Sequence, residues 1–210
     1  MANNICSCLI DGIKEHEPVT GIYADDRWTA VETATGTGMC MYVPDSDCRK
    51  FAYINSQYNR GNDFYEPFEN YCTSGIDFCG KTVGVVGHLS EVISRHSREA
   101  KKIYVFEMQP KDETDLPAEM EDELLPECDI VIATGSSLVN GTLPHLLELG
   151  RKAYFVLTGP SVPKCRALLD FGIDRLAGMC ITDPEGLKRY IKNREKGKPY
   201  SFGLPFLIKK

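Results

Sequence analysis

From Lys81 onward the chain alternates short apolar runs with longer capped or amphipathic stretches. The runs are Thr82–Val86, Ile103–Phe106, Ile130–Ala133, Tyr154–Leu157 and Leu176–Ile181. Runs this short, and apolar on both faces, suit strands buried from both sides, and the segments between them are long enough for the crossovers that parallel strands require. The fold class that follows is α/β, a parallel sheet with helices on both faces. Helix starts are marked by Thr142 before Leu143-Pro144, by Ser161 before Val162-Pro163, and by Asp183-Pro184-Glu185; Gly150 and Gly172 mark stops.

The first 80 residues follow a different rule. Val19–Ala24, Trp28–Thr33 and Gly38–Val43 read as strands, with breaks at Asp25-Asp26 and Gly36-Thr37-Gly38 so short that an antiparallel meander is expected. A helix is expected over about Asn4 to Lys14, with Ile5, Leu9 and Ile13 on one face, and a second between Asp45 and Asn59, with Phe51, Ile54 and Tyr58 on one face. Gly61–Gly80 carries no assignable pattern. The change of rule divides the chain into a small α+β domain, 1–80, and a parallel-sheet domain, 81–210, with no long linker and therefore a packed interface.

Composition narrows the partners. A formal net charge of −6 and a pI near 5.3 provide no global positive field for nucleic acid or an anionic membrane. Lys192–Lys198 and Lys209-Lys210 are the basic clusters, read as a solvated end. The amino terminus, MANNICSCLIDGIKEHEP, has neither a positive leader nor a spanning apolar run, so a cytoplasmic location is expected; homo-oligomerisation is left open. Nine cysteines without a Cys-x-x-Cys pair argue for reduced, buried thiols against a disulfide framework or a zinc ribbon.

Several segments point to ligand chemistry. Gly75 to Thr82 matches the phosphate-loop pattern letter for letter, but Lys81-Thr82 opens a strand where that loop requires a helix, so the match is rejected. Gly84-Val-Val-Gly87-His88 lacks the full dinucleotide fingerprint, although Glu107 stands 20 positions after Gly87, the spacing of a ribose-binding acid. The richest segment is Thr134-Gly135-Ser136-Ser137, continuing to Asn140-Gly141-Thr142 after the third parallel strand; Thr158-Gly159-Pro160-Ser161 repeats its chemistry after the fourth. Hydroxyls, amides and glycines at the carboxyl edge of such a sheet are expected to bind a small polar or anionic ligand. His88 stands at the same edge as a metal ligand or acid/base, whereas His145 reads as packed or surface and His16 and His96 as solvated. No serine or cysteine triad is identifiable, and no set of three or four protein donors stands at closed-site metal spacing.

These residues also carry a resemblance. VGVVGH, the strand end Tyr104–Glu107, LLPECDIVIATGSSLVNGTLPHLLEL, VLTGPSVP and DFGIDRLAGMCITDPEGL, spread in order from Lys81 to about Ile191, resemble a domain of unknown function described as "putative heavy-metal chelation". WTAVET, GTGM and INSQYN, the last at Ile54–Asn59, resemble that family's amino-terminal domain; Leu89-Ser90 replaces its expected Phe-Pro after His88. The resemblance implies an enolase amino-terminal-like domain joined to a Rossmann-like domain, with the site in the cleft between them and a heavy-metal ion or metal chelate as the bound species. Tyr58 and Asn59 are then expected to face the cleft, and His88 with Cys165 to add one or two bonds to the metal. An enzyme using a nucleotide-like or methyl-donor cofactor in the same cleft remains the alternative, and a non-catalytic partner of a transport or cofactor-assembly system a third.

Overall fold

The computed structural model describes residues 2–61, 71–110 and 112–210. Helix α1 (Ala2–Asp11) buries Ile5 and Leu9. Strands β1 (Val19–Ala24), β2 (Trp28–Thr33) and β3 (Thr37–Met41) form the expected antiparallel meander. The Asp25 carboxylate tightens its first turn by accepting the amides of Arg27 and Trp28 at 2.8 and 2.7 Å. Helix α2 (Cys48–Tyr58) starts at Asp47, whose side chain accepts from the Lys50 amide at 3.1 Å, the bond an N-cap is selected for. It lies so close over β3 that a Cβ on Gly38 would collide with the Ser56 and Ala52 backbone.

The second sheet has seven strands in the order β10-β9-β8-β7-β4-β5-β6. They are β4 (Thr82–Val86), β5 (Lys102–Glu107), β6 (Asp115–Pro117), β7 (Ile130–Thr134), β8 (Tyr154–Thr158), β9 (Arg175–Ile181) and β10 (Gly203–Lys209). All pairings are parallel except β9 with β10. The chain thus enters at the centre, winds out through β5 and β6, then returns past β4 and winds out the other way, the order of a doubly wound sheet. Helices α3 (Ser90–His96), α4 (Glu121–Leu124), α5 (Ser136–Val139), α6 (Leu143–Leu149) and α7 (Pro184–Lys192) join its strands.

Alternation along the strands separates two layers of core. Val83, Val85, Ile130, Ile132 and Val156 pack beneath Phe78 and Val92, while Val86, Val131, Ala133, Leu157 and Leu176 join an apolar cluster that continues into Leu9 of α1 and Phe51 of α2. A third cluster sets Trp28, Ala30 and Met39 against Met179 and the α7 residues Leu187, Tyr190 and Ile191. The small sheet is therefore packed by its own residues onto the large one.

Three local readings are corrected. The terminal segment forms the edge strand β10 in place of a solvated end; Phe206 occupies the room left by Gly178, and Pro205 is tolerable because the strand has a free edge. No helix starts at Ser161. The Val162 amide instead closes a turn on Gly159 O at 3.1 Å, because Pro163 pushes Val162 toward extended backbone, and 3-10 turns begin only at Arg166. His96 is buried, stacked on Phe78 with ring centroids 3.7 Å apart and hydrogen-bonded through Nε2 to Thr73 at 3.1 Å. The uncertain segment 61–80 lies in part outside the described residues, and its described end covers the Phe78 layer.

Candidate metal centre at the sheet edge

β4 is flanked by β5 on one side and β7 on the other, so the loops leaving β4 and β7 diverge and open a crevice at the carboxyl edge. His88 stands there. The chain reaches it through Gly87, whose φ of +88° is left-handed and whose missing Cβ leaves room for Thr134. The Gly87 amide donates to Phe106 O at 2.8 Å and the His88 amide to the Glu107 carboxylate at 3.0 Å, anchoring the turn on the neighbouring strand.

His88 Nδ1 lies 2.9 and 3.1 Å from the two oxygens of Asp115, the first residue of β6. That carboxylate is wholly buried and also accepts the Asp112 amide at 3.3 Å. Asp112 is exposed; the Thr114 hydroxyl and amide, the latter at 2.8 Å, hold its carboxyl below the usual range. One nitrogen of His88 and one oxygen each of Asp112 and Asp115 lie within 4.8 Å of one another. Sequence reasoning missed both aspartates, Asp115 being 27 residues from His88. The usable signal was topological: consecutive parallel strands place their carboxyl-end loops side by side, so the loop after β5 must land beside His88.

Beside this group lies a cleft of about 530 Å³ between the two sheets. Trp28 and Met41 form one wall, and Leu89, Thr158 and Gly159 the other; Tyr71, Cys72 and Tyr200 close it. At its rim Lys198 Nζ meets Glu91 at 2.6 Å. Burial pushes the Tyr71 phenol and the Cys72 thiol above their ordinary ranges and Tyr200 up to about 12, so all three stay protonated at neutral pH.

Of the residues singled out from sequence, His88, Thr158 and Gly159 line the cleft. The two polar loops mostly hold the protein together. Ser161 Oγ accepts the Met41 amide at 2.9 Å and Ser136 Oγ donates to Met41 Sδ at 3.4 Å, docking β3 onto the large sheet. Thr134 pairs with Ser136 at 3.1 Å, and Ser137 donates to Thr134 O at 2.8 Å. A Cβ on Gly135 would strike Val162, so its glycine serves loop packing; Pro160 is buried beside it. Asn140 Oδ1 accepts from the Thr142 amide and hydroxyl at 3.1 and 2.9 Å, an Asx-type turn around Gly141.

The remaining expectations meet different partners. Glu107 accepts the amides of His88 and Met108 at 3.0 and 3.1 Å, one on each oxygen. Tyr58 does not face the cleft; its hydroxyl donates to Leu9 O at 2.9 Å, because its side of α2 packs on α1. Asn59 is buried, its Nδ2 donating to Val162 O and Met179 O at 3.0 Å each while its Oδ1 accepts the Lys164 amide at 2.6 Å. Cys165 is buried in the core shared with α1 and is not among the donors around His88. His145 is a surface residue paired with Asp122 at 2.6 Å.

The sequence profile of the DUF364 family, described as "putative heavy-metal chelation", matches residues 75–203. The chain belongs to the DUF364 family. A crystal structure of a DUF364 protein from Desulfitobacterium hafniense is similar with a TM-score of 0.88 and 27% identity, covering 100% of this chain and 98% of that one. A DUF364 structure from Pyrococcus horikoshii has a TM-score of 0.83, 21% identity and 100% and 99% coverage, a likeness of fold. An uncharacterized protein of Methanocaldococcus jannaschii is 33% identical over 117 residues, 53% of this chain and 45% of that protein, so the match spans less than half of the relative. Among the described residues no helix is long and apolar enough to cross a membrane.

Proposed function

We propose that this DUF364 protein binds a small anionic ligand through a metal ion at the floor of the cleft between its small amino-terminal domain, 1–80, and its parallel-sheet domain, 81–210. The convergence of His88, Asp112 and Asp115 supports the reading most directly. An imidazole and two carboxylates, one of them buried, form a donor set that binds divalent cations, and three protein donors leave positions for a ligand to complete. The adjoining cleft supplies walls, with Arg95 bringing positive charge to its rim, where Lys198 is paired with Glu91.

Calorimetric titration of the metal-stripped protein with Zn²⁺ and Mn²⁺ tests it. One equivalent is expected per chain, with affinity lost in His88→Ala and reduced in Asp112→Asn. Absence of saturable binding, or unchanged binding in His88→Ala, overturns the proposal.

A further inference from the structure

We infer that the centre selects a hard or borderline first-row divalent cation, Mn²⁺, Fe²⁺, Co²⁺ or Zn²⁺, and not a thiophilic heavy metal such as Hg²⁺. The inference rests on the proposed function and specifies its ion. Every donor that converges at the centre is an imidazole nitrogen or a carboxylate oxygen. Such sets favour ions of the manganese-to-zinc series, whereas mercury-like ions are selected by thiolates.

The thiols of this chain are placed elsewhere. Cys40, Cys48, Cys128, Cys165 and Cys180 are buried, and no cysteine among the described residues joins His88, Asp112 and Asp115. Cys72 is the thiol that lines the cleft, and burial keeps it protonated. The same cause raises Cys8, Cys40 and Cys128, the last to about 12, so these sulfurs resist the deprotonation that thiolate ligation needs. Cys79 is exposed, and an exposed thiol takes up Hg²⁺ without any built site. Heavy-metal uptake by this chain is therefore expected to be a property of its surface sulfur, separate from the cleft. A six-coordinate ion held by three protein donors offers its other positions to water or to the oxygen and nitrogen donors of a chelating anion.

Cobalt titration separates the ions. Co²⁺ should bind one equivalent with weak visible bands and no thiolate-to-cobalt charge-transfer absorption, and Mn²⁺ in large excess should compete for the same site, as the weaker binder of the two. Asp112→Asn, at an exposed position where folding is not at stake, should weaken Co²⁺ and Mn²⁺ by about tenfold or more, while Cys72→Ser leaves both unchanged. Hg²⁺ uptake should be insensitive to Asp112→Asn and removed by prior alkylation of the thiols. Charge-transfer bands lost in Cys72→Ser, or Hg²⁺ displacing Co²⁺ stoichiometrically from alkylated protein, would overturn the choice of ion alone. Failure of Co²⁺ and Mn²⁺ to bind at all would overturn both this inference and the proposed function.

Discussion

Replacing Asn59 by alanine should cost stability and leave metal binding intact. The residue is 5% exposed, and its side chain satisfies three backbone groups at once: the carbonyls of Val162 and Met179 and the amide of Lys164. Alanine keeps none of these bonds. A buried polar group stranded by loss of its partner costs about 1–3 kcal/mol, and the three share one small space that water can partly refill, so about 3 kcal/mol is expected in total. For a chain of this size that lowers the melting temperature by roughly 6–12 °C. Differential scanning calorimetry of wild type and Asn59→Ala, with Ser201→Ala as an exposed control, reads the difference, and Mn²⁺ titration of the folded variant reads the site. A fall of under about 2 °C would show that the three bonds contribute little and refute the reasoning. Loss of metal affinity at full stability would restore Asn59 to the cleft.

Gly38→Ala forces a Cβ into the Ser56 and Ala52 backbone, which cannot yield without lifting α2 from β3; a loss of about 3 kcal/mol in urea unfolding is expected. Glu121 is half-buried, and desolvation raises its carboxyl to about 7, with Asp122 and Glu119 adding to the rise and His145 opposing it. The folded chain then keeps a proton that the unfolded chain releases near pH 4.5, so stability falls as pH rises from about 4.5 to about 7 and is level above that. Glu121→Gln should abolish that slope and gain about 1 kcal/mol at pH 8, after discounting for its exposed half, with no gain at pH 4; equal melting shifts at both pH values would refute the assignment. Gly141→Val places a branched side chain at a φ of +79° in open space, so a penalty of about 1–2 kcal/mol with unchanged Mn²⁺ affinity is expected, and lost affinity would return the 134–142 loop to the site. Lys198→Ala should change stability by less than about 0.5 kcal/mol in chemical denaturation, because both members of its pair are exposed.

The strand and helix order of this chain is written in its sequence because each signal is local. Ile130 and Ile132 on one face with Val131 and Ala133 on the other declare a strand buried on both faces, and Asp47 and Asp183 declare helix starts by side chains that reach amides three residues on. The doubly wound arrangement follows, and with it the carboxyl edge at which His88 must stand. What sequence does not determine is the partner of a polar side chain. Thr134–Ser137 and Ser161 carry the composition of ligand loops, yet Ser136 and Ser161 spend their hydroxyls on Met41, which the packing of the small sheet brings against them. Asn59 looks poised to cross a cleft and instead binds three backbone groups that lie more than a hundred residues away along the chain. Asp112 and Asp115 look like solvated acids until the pairing of β5 with β4 and β6 sets their loop beside His88. Hydrophobic period and capping act within a few residues and survive in any one-dimensional reading, whereas hydrogen-bond satisfaction and donor convergence depend on which segments the folded sheets make neighbours.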